Sequence, residues 1–444
     1  MNMAIMKKTI AWAFLAAFLS TFVGCGGGGS SSSTSTTGNS ANTPASSTST
    51  SSTSTSNTVS PVNPSAQPTT ATATNAVPIQ VSYTAPFDQA NDPMVSITIC
   101  TAGTNASSNC TTIDNVLVDT ESFGLRLFAS TIPSSTLGTL PAQTQSGTGA
   151  TLAECALFGS GYSWGSVRNM DIKLGGEIAQ NVPVQVMADS TTLTASAPTD
   201  CQVHPEYTTP ALLGANGILG IGVRAQDCGS ACTSNALSGW YYACSGLLCT
   251  AVSQPLNQQV SNPVPYFTTD NNGVVVELPP VPSGGAVSAT GTLVFGIDTQ
   301  SNNALAGSGA TLLATDDSGD FNATYNGVTY TDNAFFDTGS TFLYFQDSSI
   351  GINSYNYYAP SSTLARSVSI AGSNLVTATV DFNVGNATTL FASGNYAFDD
   401  IAYDSPGQFD MGMPFFFGRH VYYGISGAAS ANGVTGPYVA FTSS

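Results

Sequence analysis

The sequence predicts an all-β, two-lobed fold, on three observations. The first is composition: a chain of 444 residues rich in Ser, Thr, Val, Tyr and Phe, with 44 Gly and 23 Pro, has strand formers separated by many turns. The second is the lack, beyond the N-terminal segment, of any long stretch with a 3.6-residue apolar period. The third is a phrase that occurs twice. Val116 to Phe128 reads V-L-V-D-T-E-S-F-G-L-R-L-F, and Ala334 to Phe345 reads A-F-F-D-T-G-S-T-F-L-Y-F. Each is an apolar run, then Asp-Thr-x-Ser, then another apolar run. No short tandem repeat is present, so the repetition is one of halves.

Strands are expected in order along the chain. Ile79 to Tyr83 and Met94 to Cys100 alternate apolar and polar residues, and Asn115 to Val118 leads into the first Asp loop. Gly159 to Gly165 reads as a turn, with strands after it at Val167 to Leu174 and Val182 to Met187. Val264 to Leu278 reads as a hairpin turning at Asp270-Asn-Asn-Gly273. Gly291 to Gly296 is another strand, and Phe415 to Gly424 closes the domain. The expected organisation is a leader over 1–24, a tether over 25–76, an N-terminal lobe over 77–262 with a Cys-rich insertion at 195–260, and a C-terminal lobe over 263–444.

The leader has Lys7 and Lys8 before an apolar stretch from Thr9 to Val23, the layout of a signal peptide. Phe22-Val23-Gly24-Cys25 resembles a bacterial lipobox, which implies lipidation of Cys25; Gly26 after it favours the outer membrane by the same resemblance. Anchoring through acyl chains needs no spanning helix. Residues 26–75 are Gly, Ser, Thr, Ala and Asn, too polar to bury a core, and read as a flexible tether. The formal charge of −18 excludes nucleic acid as a partner and leaves the lipid anchor as the sole contact with a membrane. Charged residues make up only 8%, so surface polarity falls to Ser, Thr, Asn and Gly.

Cys100, Cys110, Cys155, Cys201, Cys228, Cys232, Cys244 and Cys249 remain once Cys25 is set aside. An even number in an exported chain predicts disulfides rather than a zinc site. The pairing is open, with Cys100–Cys110 the simplest local choice.

Two Asp-bearing loops, one from each half, are what a carboxylate dyad needs. Close carboxylates share a proton, and such a pair suits general acid/base activation of water. The ordered motifs resemble those of the pepsin-type aspartic peptidases, from about Val77 to the end. They also resemble a group of bacterial lipoproteins of unknown function. Asp119-Thr120-Glu121-Ser122 and Asp337-Thr338-Gly339-Ser340 match the two Asp-Thr-Gly loops. Asn216 to Gly222 and Met411 to Phe416 match the glycine-bearing strands behind them. Phe158-Gly159-Ser160-Gly161 matches the flap hairpin. Flap and glycine strand come 39 and 98 residues after Asp119, and Gly412 comes 75 after Asp337.

The resemblance implies a pepsin-like fold with an interlobe cleft, Asp119 and Asp337 as catalytic acids, and no metal or organic cofactor. It implies support from Thr120, Thr338, Gly339, Ser122 and Ser340, the two serines bonding the outer carboxylate oxygens. The expected partner is a peptide or protein in the cleft. Two departures keep a non-catalytic peptide- or glycan-binding protein in view, and beyond it a structural lipoprotein. Glu121 stands where the family has Gly. Phe158 stands where the flap has Tyr, with Tyr162 as an alternative source of the hydroxyl at a different spacing. Gly161 to Gly165 also fits G-x-S-x-G, but Ser166 to Leu174 reads as a strand and not the helix a nucleophile elbow requires. Asp316 to Asp320 reads as a solvated turn rather than a calcium loop.

Overall fold

The computed structural model describes residues 67–443. The leader, Cys25 and the tether up to residue 66 lie outside the described residues. The end of the expected tether does not behave as one. Asn75 is fully buried, and its side-chain amide donates to Phe295 O at 2.9 Å. Thr69 donates through both its backbone N–H and its hydroxyl to the buried carboxylate of Glu277. Folded structure therefore begins about ten residues before Val77, because this polar stretch satisfies core groups that apolar residues would leave unpaired.

Strands dominate, arranged in a sheet of 15 and a sheet of seven. Helices among the described residues are single turns of four or five residues. The larger sheet takes every strand up to Ala251 and five strands from the second half, including Gly273–Glu277, Ser288–Phe295 and His420–Gly424. The smaller sheet comes from residues 321–411 alone. One apolar core runs through both, with Phe336 and Phe415 stacked at 4.0 Å between centroids.

Each half contains the same crossing. In the first, Gly217–Ile221 inserts between the two legs of the Asp119 loop. It pairs parallel with Thr111–Asp119, Val118 opposite Leu219, and antiparallel with Phe123–Phe128, Leu125 opposite Leu219. In the second, Phe409–Met411 inserts between Val328–Phe336, parallel, and Leu343–Phe345, antiparallel. Gly220 within the first inserted strand and Gly412 just after the second stand where backbone crosses backbone. A Cβ on Gly412 would stand 2.1 Å from Phe342 O, and one on Gly220 would stand 2.7 Å from Phe123 N.

The flap hairpin pairs Thr151–Leu157 with Tyr162–Leu174. The Cys-rich insertion widens it: Tyr241–Ser245 pairs with Thr151–Leu157 on the other side, and Leu248–Ala251 pairs in turn with Tyr241–Ser245. All eight cysteines in the described residues are bridged, as 100–110, 155–201, 228–232 and 244–249. The expected hairpin over Val264 to Leu278 is corrected. Val264–Tyr266 is a 3-10 turn after Pro263, and only Gly273–Glu277 is a strand. Asn272 explains the break, because its side chain bonds the backbone of Ile297 in both directions instead of facing a partner strand.

Candidate active site

The two crossings bring Asp119 and Asp337 together. Each strand carrying an acid ends where the inserted strand passes it, so both side chains project from loop tips that face one another. Asp119 is 7% exposed and Asp337 9%. Their carboxyl groups share a hydrogen bond. Burial, and then the neighbouring Asp119 charge, push the Asp337 carboxyl well above the usual carboxylate range; Ser340 and the Gly339 N–H oppose this only in part. A pair in that state holds one proton between two acids.

The threonines lock the loops to each other. Thr338 Oγ1 donates to Val118 O at 2.7 Å, and Thr120 Oγ1 donates to Phe336 O at 3.2 Å. The Thr338 N–H donates to Thr120 Oγ1 at 3.0 Å. Thr338 is fully buried and Thr120 nearly so, so these bonds form out of water and fix the separation of the acids. Behind them Tyr423 donates to Phe336 O at 2.9 Å. Burial first, then the charges of Asp337, Glu121 and Asp119, raise its hydroxyl well above its usual value, so it remains a neutral donor.

The loops also hold their own acids. The Gly339 N–H donates to Asp337 Oδ1 at 2.7 Å, and the Glu121 N–H donates to Asp119 Oδ1 at 3.0 Å. Gly339 has a steric reason to be glycine: a Cβ there would stand 2.8 Å from the Asp119 carboxyl. Glu121 has its φ outside the left-handed region, so its backbone needs no glycine. Its carboxylate lies toward Gly319, in the turn after Asp316.

The two serines differ. Ser340 Oγ lies 2.7 Å from Asp337 Oδ2, where the resemblance puts it. Ser122 Oγ makes no such bond to Asp119, and it is buried without a hydrogen-bond partner among the described residues. The structure thus corrects the symmetrical expectation.

The flap is corrected as well. Phe158 packs against the cluster of Phe128, Met187 and Tyr207, with the Arg126 guanidinium 5.6 Å from its ring. Gly159 lies in the turn that Phe158 N closes on Gly161 O at 2.9 Å. Tyr162 is no cleft hydroxyl. It is buried in a cluster with Trp164 and Tyr242, and its hydroxyl donates to Glu206 at 3.0 Å. The hydroxyl near the dyad belongs to Tyr207, which sequence reasoning missed. Its ring lies against Gly161, its hydroxyl is 2.5 Å from Ser160 Oγ, and Asp119 is among the charges acting on it. Tyr207 sits in the insertion with no motif around it, so no sequence signal marked it. Ser163 of the G-x-S-x-G run is fully buried within Tyr162–Leu174 and donates to Gln185 at 2.6 Å; the segment after it is strand, not helix.

No curated protein matches the chain. Among solved structures it is similar to an aspartic proteinase from Irpex lacteus, at 15% identity and a TM-score of 0.44 over 83% of this chain and 97% of that one. A family model matches residues 71–441, which is most of the chain. The chain belongs to that family, whose description is protein of unknown function (DUF3443).

Proposed function

We propose that the protein is an aspartic endopeptidase acting on extended peptide segments. The observation that carries this reading is the buried, hydrogen-bonded pair Asp119–Asp337 on two crossed loops tied by Thr120 and Thr338. Asp337, whose carboxyl is pushed well above the usual carboxylate range by burial and by the Asp119 charge, is the acid, and Asp119 is the base. A water between them gives a proton to Asp119 as its oxygen bonds the peptide carbonyl carbon, while Asp337 gives its proton to the carbonyl oxygen. Collapse of the tetrahedral diol returns a hydroxyl proton to Asp337 as Asp119 passes its own to the departing nitrogen. Protons balance over the cycle, and both acids regain their starting states.

The test is a peptide library at pH 3 to 7 with the full-length chain, Asp119→Asn and Asp337→Asn. Cleavage is expected with an acid optimum, and each substitution should lower it about 10³-fold. Cleavage that neither substitution alters would overturn the reading. A second reading, a cleft that binds peptide without cutting it, is favoured by the missing Ser122–Asp119 bond, which leaves one acid less firmly held. Peptide binding with no cleavage at any pH would support it.

Placement in the cell is part of the proposal. Lys7, Lys8, the apolar stretch to Val23 and Cys25 support export and lipid anchoring in the bacterial envelope, with the outer membrane as destination. Among the described residues no helix is long and apolar enough to cross a membrane. Mass spectrometry of the mature N-terminus should find diacylglyceryl at Cys25, and Cys25→Ala should release the protein from the membrane fraction. An unmodified Cys25 would refute the anchor.

A further inference from the structure

The carboxyl chain does not stop at Asp337. Ser340 Oγ is 2.7 Å from Asp337 Oδ2 and also 2.7 Å from Asp410 Oδ2. A hydroxyl has one proton to donate, so it serves only one of these oxygens. The other contact is a hydrogen bond only if that carboxyl brings its own proton. The Asp119–Asp337 contact makes the same demand. Two such links require two carboxyl protons on three carboxyls.

Asp410 lies on Phe409–Met411, the strand inserted into the second loop, and is 2% exposed. Phe335 is opposite it on one side and Tyr344 on the other. The titratable groups facing it include Tyr344 and, through Ser340, Asp337 with Asp119 beyond. The Tyr344 hydroxyl is held neutral by burial first, then by Asp410, Tyr357, Asp337 and Tyr403. The first half supplies a natural contrast. Val118 pairs with Leu219 as Phe336 pairs with Met411, so Ile218 occupies the place of Asp410, and Ser122 there has no partner among the described residues.

We propose that Asp410 is a positioning residue, a third proton-holding carboxyl that acts on Asp337 through Ser340. This rests on the reading of the dyad as a shared-proton pair. Asp410 donates to Ser340, which donates to Asp337 Oδ2, while the Asp337 proton bonds Asp119. The three acids then carry a single negative charge. When a rising pH removes the Asp410 proton, Ser340 turns to that new carboxylate and Asp337 loses a donor beside a like charge. Both effects make the dyad hold its last proton to higher pH.

The test labels the full-length chain with ¹³C at aspartate carboxyls and tracks those signals by NMR against pH. Asp119, Asp337 and Asp410 are assigned by the loss of each signal in its Asp→Asn variant; should Asp410→Asn not fold, Asp410→Glu serves for assignment. Asp410 is expected to remain protonated at pH 6. In Asp410→Asn, which donates to Ser340 at every pH, the Asp337 midpoint should fall by about one pH unit, a tenfold change in proton affinity. This readout needs no cleavage, so it stands or falls apart from the peptidase reading. If peptides are cut, the alkaline limb of kcat/KM should move down by the same interval, whereas a packing role would lower the rate equally at every pH. An Asp410 already ionised at pH 4, or an unmoved Asp337 midpoint in folded Asp410→Asn, would overturn the proposal.

Discussion

Tyr207 reaches the flap turn from the Cys-rich insertion, with its ring under Gly161 and its hydroxyl on Ser160. It ties the flap turn to the insertion through a hydroxyl that Phe158 lacks. Tyr207→Phe keeps the ring and removes the bond. A hydrogen bond of this kind contributes about 1 kcal/mol, so peptide cleavage should fall roughly fivefold, mainly in KM. Steady-state kinetics at the acid optimum checks it, and an unchanged KM would make Tyr207 a packing residue. The residues of the site were unequally legible. Asp119, Asp337 and the threonines could be found because a backbone-dictated phrase repeats. Tyr207 and Asp410 could not, because each depends on a contact between segments remote in sequence. Ser122 and Ser340 share a phrase yet not a role. The difference lies in one position of the inserted strands, Ile218 in the first half and Asp410 in the second, which is outside the phrase.

At the scale of elements, the flap owes its breadth to the insertion. Cys155 on the flap strand is joined to Cys201, closing a separation of 46 residues, whereas Cys244–Cys249 closes five. Chain entropy assigns about 4 kcal/mol to the first and about 2 kcal/mol to the second. Cys155→Ser with Cys201→Ser should therefore destabilise the protein about twice as much as Cys244→Ser with Cys249→Ser, as read by urea unfolding. Equal losses would mean that the insertion is held by its sheet pairing and not by the bridge. Most strands were legible from alternation and from the turns that bound them. The failures were polar segments. Thr69 to Asn75 reads as tether by composition and Asp270 to Gly273 as a hairpin turn. Each is instead fixed by side-chain bonds to distant backbone or carboxylate groups, which no local pattern records.

For the whole molecule, the buried acids set how stability depends on pH. Burial pushes Glu277 up to about 7, and burial with the neighbouring Asp270 does the same for Glu177. Burial and Asp400 bring Asp399 to about 6. Such groups bind protons more tightly folded than unfolded. Their contribution is complete below the unfolded value of 4.5 for Glu or 3.8 for Asp, and it is lost as pH rises through 6 to 7. Asp347 is opposite in sign. Burial would raise it, but hydrogen bonds from Ser349, Tyr325 and Arg366 prevail and hold it at about 2. Its contribution is complete above 3.8 and is lost as pH falls toward 2. Repulsion within a chain of formal charge −18 adds to the loss on the alkaline side. The two limbs leave a maximum near pH 4 to 5, the range in which a shared dyad proton is also retained. Calorimetry of the full-length chain should find a higher Tm at pH 5 than at pH 8 or pH 2.5. Glu277→Gln should raise the Tm at pH 8 more than at pH 5, because the amide never ionises beneath Thr69 and His420. A Tm that climbs steadily to pH 8 would mean that these carboxyls ionise in the folded chain as readily as in the unfolded one.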